Sequence, residues 1–433
     1  MKFKELTLKI LKLFIISLPL IAFGITIGND TLPLSFLILF ILGVIILTGG
    51  QPIIIDTATK ILFAFFILAF ISVCYRLLVT TETVISSTGE MMDTKGFKQL
   101  IMFFFMILHF LIIQNILRKY DIETIQRIIQ FFILVSFFIS LYSIYQFFAF
   151  KYDWPFTDIL RTSKSYSITR GLETSSWIGL PRARAFMPEP SFWGTFLLVP
   201  FSLILPFAFK RKRMSLLLFV FIIAQFLTFS RSCWFGFLLI LSLLVFYKVI
   251  YQRKLIGAVK ISFVMLLLAF LLTAMIVPQK AVLFKRLFTF TDPSAVERFE
   301  MQKKTFQMFL KNPIVGVGFG NTPFFIEHQV THDWYLQLLL ETGIIGFFLF
   351  ILFLFQVWSK FKKIERKVNK MALCGEYENL TSLISGLKLS FFSILFTWVS
   401  LPAYNLSYIW FLFALITALP NVYKNVNLLS KET

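Results

Sequence analysis

Long apolar runs without charge recur along the whole chain, and they constrain the fold more than any other feature of the sequence. A helix needs about 20 mainly apolar residues to cross the hydrocarbon core of a bilayer. Hydrophobic residues make up 58% of the 433 residues, a larger share than in an ordinary soluble domain. We therefore expect an all-α polytopic membrane protein, in which residues 1–433 form a single integral membrane domain of about 12 transmembrane helices. The predicted spans lie at residues 10–27, 32–49, 58–79, 97–117, 124–150, 189–208, 214–229, 232–250, 257–277, 333–357, 383–401 and 405–422.

Positive charge in the connecting segments orients the predicted helices. When the N-terminus is placed in the cytoplasm, every second connection is basic, as the positive-inside rule requires. The even number of helices then returns the C-terminus to the cytoplasm. The formal net charge of +20 reflects this topology rather than nucleic-acid binding. The cytoplasmic charges are Arg118, Lys119, Arg127, the KRKR run at 210–213, Lys248, Arg253, Lys254 and the basic loop at 358–382.

Cysteine and histidine patterns argue against a disulfide framework and a structural metal site. The chain has three cysteines, and the predicted topology separates Cys374 from Cys74 and Cys233. No CxxC or HExxH spacing occurs, so we expect neither a metal nor another cofactor. His109, midway along the fourth predicted span, is expected to make an interhelix hydrogen bond.

The basic residues that topology does not explain are concentrated in two long predicted outer loops, 151–188 and 278–331, and at the turn around Arg231. The second loop contains PSAVERFEMQKKTFQMFLKNP, which has an S-x-x-E capping box and an Asn-Pro stop signal. This pattern predicts a short amphipathic helix. Arg298 falls in its first turns, where the helix dipole disfavours a cation by about 0.3–1 kcal/mol. We therefore expect Arg298 to serve a purpose other than helix stability.

The segment IVGVGFGN at residues 314–321 has three glycines, which permit tight backbone turns. Its spacing matches neither a P-loop nor a dinucleotide fingerprint, so it is interpreted as a shaped loop. The next span is expected to begin with Thr331 as N-cap and His332 at the outer boundary. The helix dipole favours a neutral His332, which can accept a proton, whereas Asp333 opposes this effect. Glu341, a carboxylate within the span, must find a hydrogen-bond partner or water.

Arginines also stand at two other predicted outer helix ends. Arg231 lies in an SRS turn between two apolar runs, and its side chain either faces the outer mouth of the bundle or simply snorkels to water. The segment RARAFMPEPSFWG places Arg182, Arg184 and Glu189 at the start of the sixth predicted span. These three side chains either contribute to a site or pair with one another.

Four segments together resemble the O-antigen ligase and Wzy-type polysaccharide polymerase superfamily of bacterial membrane glycosyltransferases. The resemblance covers roughly residues 180–350. Three departures stand out: the stretch between Arg298 and His332 is short, Asp333 occupies a position where many relatives have Asn, and no RX10G pattern of the well-known polymerases occurs. The segments are RAFMPEPSFWG at 184–194, TFSRS at 228–232, ERFEMQKKTFQMFLKNPIVGVGFGN at 297–321 and HDWYLQLLLETGIIG at 332–346.

The resemblance implies a membrane glycosyltransferase-C fold and an inverting, metal-independent transfer of glycan from undecaprenyl diphosphate to an acceptor hydroxyl. The reaction would take place at the outer face of the bacterial cytoplasmic (inner) membrane. Arg231 and Arg298 would hold the diphosphate, with Arg286 as a competing candidate, and His332 would orient or deprotonate the acceptor. The substrate-binding residues would be Arg182, Arg184, Glu189, Arg286 and Tyr335.

The implied partners are an undecaprenyl-diphosphate-linked glycan donor, a glycan or lipid A core acceptor, and membrane lipid. The resemblance also allows for a chain-length regulator. Glu189 in the EPS sequence favours a polymerase over a ligase that transfers finished polymer to lipid A core. A lipid-oligosaccharide flippase or transporter is the third hypothesis. It is disfavoured because the unusual charges lie at helix ends and no internal repeat is evident.

Overall fold

In the computed structural model the described part of the chain is mainly helical, which agrees with the predicted all-α class. The structure describes residues 2–27, 30–50, 52–79, 91–157, 159, 181–208, 212–252, 293–326, 331–372 and 378–429. These residues form the elements α1 (Lys2–Ser17), β1 (Gly24–Ile27), β2 (Asp30–Pro33), α2 (Leu34–Thr48), α3 (Thr57–Val79), α4 (Met92–Leu117), α5 (Ile122–Tyr152), α6 (Pro190–Ala208), α7 (Lys212–Leu227), α8 (Arg231–Gln252), α9 (Pro293–Lys311), α10 (Thr322–Phe325), α11 (Trp334–Ala372), α12 (Glu378–Thr397) and α13 (Ser407–Leu429).

Six helices in the described part of the chain are long and apolar enough to cross a membrane. Shorter apolar helices are found at Leu34–Thr48, Arg231–Val245 and Ser407–Val422. The predicted span at 257–277 lies outside the described residues, so the number of crossings stays a prediction. The six segments are Thr57–Val79, Thr94–Leu117, Ile122–Tyr152, Pro190–Ala208, Trp334–Val368 and Asn379–Thr397.

The first predicted span, residues 10–27, is only partly helical. α1 ends at Ser17, two residues before Pro19, and the residue that precedes a proline is disfavoured in the helical conformation. Gly24–Ile27 instead forms β1, which pairs antiparallel with β2. Hydropathy alone predicted a helix here, whereas the proline ends it.

The basic segment at 358–382, predicted as a cytoplasmic loop, is helical as far as Ala372 because α11 continues into it. Apolar side chains recur at helical spacing among the charges, and Phe361, Ile364 and Val368 are buried. The apolar stripe therefore decides the local structure, and the charges lie on the remaining faces of the helix.

The chain forms two compact units, each assembled from separate segments. In the first unit α6 packs against α5, α7, α8 and α12, and α5 also packs against α1 and α7. In the second unit α4 packs against α3 and α13. The first unit comprises Met1–Ile45, Ile122–Thr289 and Glu365–Thr397, and the second comprises Ile46–Asp121, Phe290–Ile364 and Trp398–Thr433.

α6 lies at the centre of the first unit. All of its residues from Trp193 to Leu205 are buried, which is typical of a helix that is apolar on every side and surrounded by others. Gly386 allows α12 to pack closely against α6, since a β carbon there would lie 2.9 Å from the backbone of Leu203.

Aromatic rings fill the core of the second unit. Phe103 of α4 lies 5.1 Å from Phe65 and 5.8 Å from Trp410, measured between ring centroids, and both pairs pack edge to face. Phe350 of α11 lies 5.7 Å from Phe65. These contacts hold α3, α4, α11 and α13 together.

A buried polar cluster joins three helices of the second unit at the end where α3 begins. Asp56 Oδ1 accepts a 3.0 Å hydrogen bond from the N–H of Thr59 and so caps α3. Its Oδ2 accepts hydrogen bonds from Gln114 Nε2 at 2.9 Å and from Arg118 Nη2 at 3.0 Å, both at the end of α4. The ammonium group of Lys360 in α11 pairs with the same oxygen.

Candidate active site

α11 is interrupted at Gly343, whose φ of 65° and ψ of −171° are not helical. The N–H of Ile344 leaves the helical pattern and donates to the carbonyl oxygen of Pro313 at 2.8 Å. A β carbon at Gly343 would lie 2.1 Å from the carbonyl oxygen of Ile314. Only glycine fits this position, because the chain at 313–314 runs directly against the helix break.

The glycine-rich loop at 314–321 fills the hydrogen-bonding positions that the break leaves open. The N–H groups of Val317 and Gly318 donate to the carbonyl oxygens of Leu340 and Glu341 at 2.9 and 3.1 Å. In a continuous helix these carbonyl groups would accept hydrogen bonds from residues four positions later. The three loop glycines have φ values of 77°, 95° and 81°, as expected for tight turns. The backbone of the loop is therefore hydrogen-bonded to the backbone of α11 at the helix break.

The Glu341 side chain is fully buried and hydrogen-bonded, as its place in an apolar span requires. Its Oε1 accepts hydrogen bonds from Thr322 Oγ1 at 2.7 Å and from Gln337 Nε2 at 2.9 Å. The Oε1 of Gln337 in turn accepts a 3.2 Å hydrogen bond from Thr331 Oγ1. These contacts connect α10, α11 and the turn before α11.

Asp333, not Thr331, is the N-cap of α11. Its Oδ1 accepts hydrogen bonds from the N–H groups of Tyr335 and Leu336 at 2.8 and 3.0 Å, the positions that an N-cap side chain serves. The sequence prediction placed the helix start too early, because Thr331 and Asp333 are both good capping residues. His332 therefore precedes the helix.

The imidazole of His332 lies beside the first turns of α9. Burial is the main cause that lowers the pKa of His332 to about 4, and the guanidinium of Arg298 lowers it further, while the carboxylate of Glu297 acts in the opposite direction. The neutral imidazole predicted from the sequence is thus supported by burial and by Arg298. At pH 7 it can accept a proton.

α9 lies where the sequence predicts an amphipathic helix, and it ends at Lys311, directly before the predicted Asn-Pro stop. Met301 anchors it, because this side chain is buried in a cluster with Val317, Ile326 and Leu340. Arg298 lies one turn earlier and is half-buried. The anchored helix therefore holds Arg298 near His332 and the start of α11.

In the first unit, Arg231 is the first residue of α8 and is half-buried. It follows a tight turn in which Phe229 has a φ of 48°, a conformation that a residue other than glycine rarely adopts. Arg182 Nε donates a 2.9 Å hydrogen bond to the carbonyl oxygen of Thr228 in this turn. The structure thus brings Arg182 and the turn that carries Arg231 together.

Arg184 is fully buried in the segment before α6. Gln146 of α5 fixes this segment, because its Oε1 accepts hydrogen bonds from the N–H groups of Arg184 at 3.1 Å and Ala185 at 2.8 Å. Phe186 stacks on Tyr142 with 4.6 Å between ring centroids and 6° between ring planes. Two side chains of α5 therefore position the segment that carries the predicted arginines.

Glu189 is exposed and stands immediately before α6, which begins at Pro190. Its Oε2 accepts a 3.2 Å hydrogen bond from Ser191 Oγ.

Among the remaining predicted residues, Tyr335 lies in the first turn of α11 with its ring against Trp398. Arg286 lies outside the described residues.

Two cationic side chains beside the glycine loop were not predicted from the sequence as site residues. The guanidinium carbon of Arg76 lies 4.6 Å from the ring centroid of Phe325, and Lys95 Nζ lies 5.7 Å from that of Phe324. Arg76 is in the last turn of α3, where an isolated arginine has no motif to mark it. Gln146 was missed for the same reason.

Comparison with known families is consistent with the motifs. Residues 214–351, about a third of the chain, match the Wzy_C family model, described as O-Antigen ligase. The matched region includes Arg231, Arg298 and His332, whereas Arg182, Arg184 and Glu189 precede it. No curated protein matches the chain. The match over residues 214–351 confirms the predicted resemblance to the O-antigen ligase and Wzy superfamily, and the six apolar helices of the described residues are those of a membrane protein.

Proposed function

We propose that the chain is a glycosyltransferase that polymerises undecaprenyl-diphosphate-linked oligosaccharide at the outer face of the cytoplasmic membrane, as a Wzy-type polymerase. The observation that carries the proposal is the neutral His332 imidazole next to Arg298, at the start of α11 and within the family region. A base beside a permanent cation suits the transfer of a sugar from a phosphate leaving group to a hydroxyl.

In the proposed reaction the acceptor hydroxyl oxygen attacks the anomeric carbon of the donor. The new glycosidic bond forms as the bond to the diphosphate oxygen breaks, and undecaprenyl diphosphate leaves with the bonding electron pair. His332 takes the hydroxyl proton. Attack from the face opposite the leaving group inverts the anomeric configuration.

Arg298 and Arg231 are proposed to stabilise the charge that develops on the diphosphate, because arginine binds phosphate oxygens through two parallel hydrogen bonds. Arg231 is the first residue of α8, where the helix dipole disfavours a cation and favours an anion. An anionic ligand would remove this conflict. Arg182, Arg184, Glu189 and Tyr335 are proposed to bind substrate, and Arg286 remains a candidate for the second phosphate-binding arginine.

Reconstituted protein and a radiolabelled undecaprenyl-diphosphate repeat unit test the proposal. Wild-type protein should convert the donor alone into a ladder of polymer, also in the presence of EDTA. His332→Ala should lower the rate by about 10²–10⁴-fold, the usual contribution of a positioned base. Arg127→Ala is the matched control, since Arg127 is an arginine of α5 that belongs to none of the proposed groups. A fully active His332→Ala variant would exclude the proposed role of His332.

A ligase that moves finished polymer to lipid A core is the second candidate, favoured by the description of the matched family. Both activities use the same donor and the same leaving group. The assay separates them through the acceptor, because a ligase forms product only when lipid A core is added. No product from either acceptor would overturn both functions.

A further inference from the structure

A continuous path of buried hydrogen bonds runs from the first residue of α10 to the residue before His332. Thr322 donates to Glu341, Glu341 accepts from Gln337, and Gln337 accepts from Thr331, with distances of 2.7, 2.9 and 3.2 Å. All four side chains are buried. The path therefore lies in the interior of the second unit, where water does not compete with its hydrogen bonds.

The helical geometry of α11 makes this path possible. Gln337 and Glu341 are four residues apart and therefore lie on the same face of the helix. The carbonyl oxygen of Glu341 is also bonded to the loop, through the N–H of Gly318. Glu341 is consequently attached to α10 through its side chain and to the loop through its backbone, so its carboxylate is a fixed acceptor for Gln337.

Gln337 connects the fixed side chain of Glu341 to the turn at 331–333. Its Nε2 is engaged by Glu341, so its Oε1 faces Thr331. Thr331 also lies 3.4 Å from the carbonyl oxygen of Asp333 through its hydroxyl, and Asp333 caps the helix. His332 stands between these two fixed residues. Its backbone is held on both sides.

We propose that Glu341 and Gln337 are positioning residues for His332, which hold the turn at 331–333 in the conformation required for proton transfer. The inference rests on the proposed function, because it assigns the path to the residue that acts as base. Displacement of a catalytic group by about 1 Å lowers a rate by about 10²-fold. A flexible turn would therefore lower turnover without removing the imidazole.

Gln337→Leu is the decisive variant. It keeps the volume of the side chain and leaves the Thr322 to Glu341 hydrogen bond in place, but it cuts the link to Thr331. We expect kcat to fall about 10-fold to 100-fold with the KM for the donor unchanged. Thr331→Val should give a similar loss, because it removes the last hydroxyl in the path. Thr342→Val is the matched control, since Thr342 is a buried threonine whose hydroxyl donates to the carbonyl oxygen of Leu338 in its own helix.

Each variant is then combined with His332→Ala. A residue that acts only through His332 loses its effect when the imidazole is absent, so Gln337→Leu should cause no further loss in the His332→Ala background. An equal, additive loss in both backgrounds would overturn the inference, since it would show a general structural role. Activity of Gln337→Leu equal to that of wild type would also overturn it.

The same experiment distinguishes failure of the proposed function from failure of the positioning role. Absence of glycosyl transfer by the wild-type protein refutes the proposed function itself. Transfer by the wild type, together with additive losses, refutes only the positioning role. Thermal unfolding of each purified variant is followed in parallel, and Thr331→Val replaces Gln337→Leu as the decisive variant if Gln337→Leu does not fold.

Discussion

The guanidinium of Arg298 and the imidazole of His332 interact electrostatically across the gap between α9 and the start of α11. Together with burial, which is the larger cause, this interaction lowers the pKa of His332 to about 4. The histidine is therefore held in its neutral, proton-accepting form over the whole physiological pH range. Arg298, which contributes to this effect, also carries the charge that suits a phosphate.

The first prediction concerns the pH dependence of transfer. The acid limb of kcat/KM should lie near pH 4 rather than near 6.5, because kcat/KM reports groups of the free enzyme. Arg298→Gln removes one cause of the low pKa, so the acid limb should move to higher pH. Lys303→Gln removes a charge from the exposed face of the same helix and serves as the control. An acid limb that stays in place in Arg298→Gln would refute the coupling.

The second prediction concerns the cap of α11. Asp333→Ala should lower the free energy of unfolding by about 0.5–2 kcal/mol and reduce transfer, because two N–H groups beside His332 lose their acceptor. Asp333→Asn should retain most of both, since Asn caps equally well. Thermal unfolding and transfer rate are measured on the same preparations. Equal damage by the two substitutions would show that the charge, not the cap, matters.

The third prediction concerns the helix break. Gly343→Ala combines a positive φ with a β carbon that would meet the Ile314 carbonyl oxygen, so the loop cannot stay docked. Gly50→Ala is the matched control, because its φ is 62° but nothing lies within 4 Å of the added carbon. Gly343→Ala should be more destabilising than Gly50→Ala by about 1–3 kcal/mol. Similar melting temperatures for the two variants would contradict the docked loop.

The fourth prediction concerns Asp56. Burial raises the pKa of its carboxyl, but the hydrogen bonds from Lys360 and the N–H of Thr59 outweigh burial and lower the pKa below its ordinary value of 3.8. The resulting stabilisation is present above pH 3.8 and is lost as the pH falls through the lower folded-state pKa. Asp56→Asn should therefore lower the melting temperature at pH 7 and flatten its decline in acid.

The control for Asp56 is Glu5, which pairs with Lys9 on the exposed surface of α1. Such exposed pairs contribute only about 0.3–0.5 kcal/mol. Glu5→Gln should consequently leave the melting temperature almost unchanged at every pH. An equally small effect of Asp56→Asn would show that the cluster around Asp56 does not stabilise the second unit.

Local signals account for the parts of the fold that the sequence predicted well. The apolar runs predicted helices, and the Asn-Pro pair predicted the end of α9, because hydropathy and proline act within a few residues of chain. Prediction was poorer where two local signals competed. Thr331 and Asp333 both suit an N-cap, and the basic residues after Trp358 masked the apolar stripe that continues α11.

The sequence by itself determined the membrane class, the positions of most helices and the motifs that resemble the family. Composition, periodicity and motif spacing are properties of the linear sequence, so they can be recognised before the chain folds. Only the tertiary structure decided that α11 breaks at Gly343, that Glu341 is tied to Thr322, and that Arg298 lies beside His332. These contacts join residues separated by many positions, and their energies depend on burial and distance, which exist only after the chain has folded.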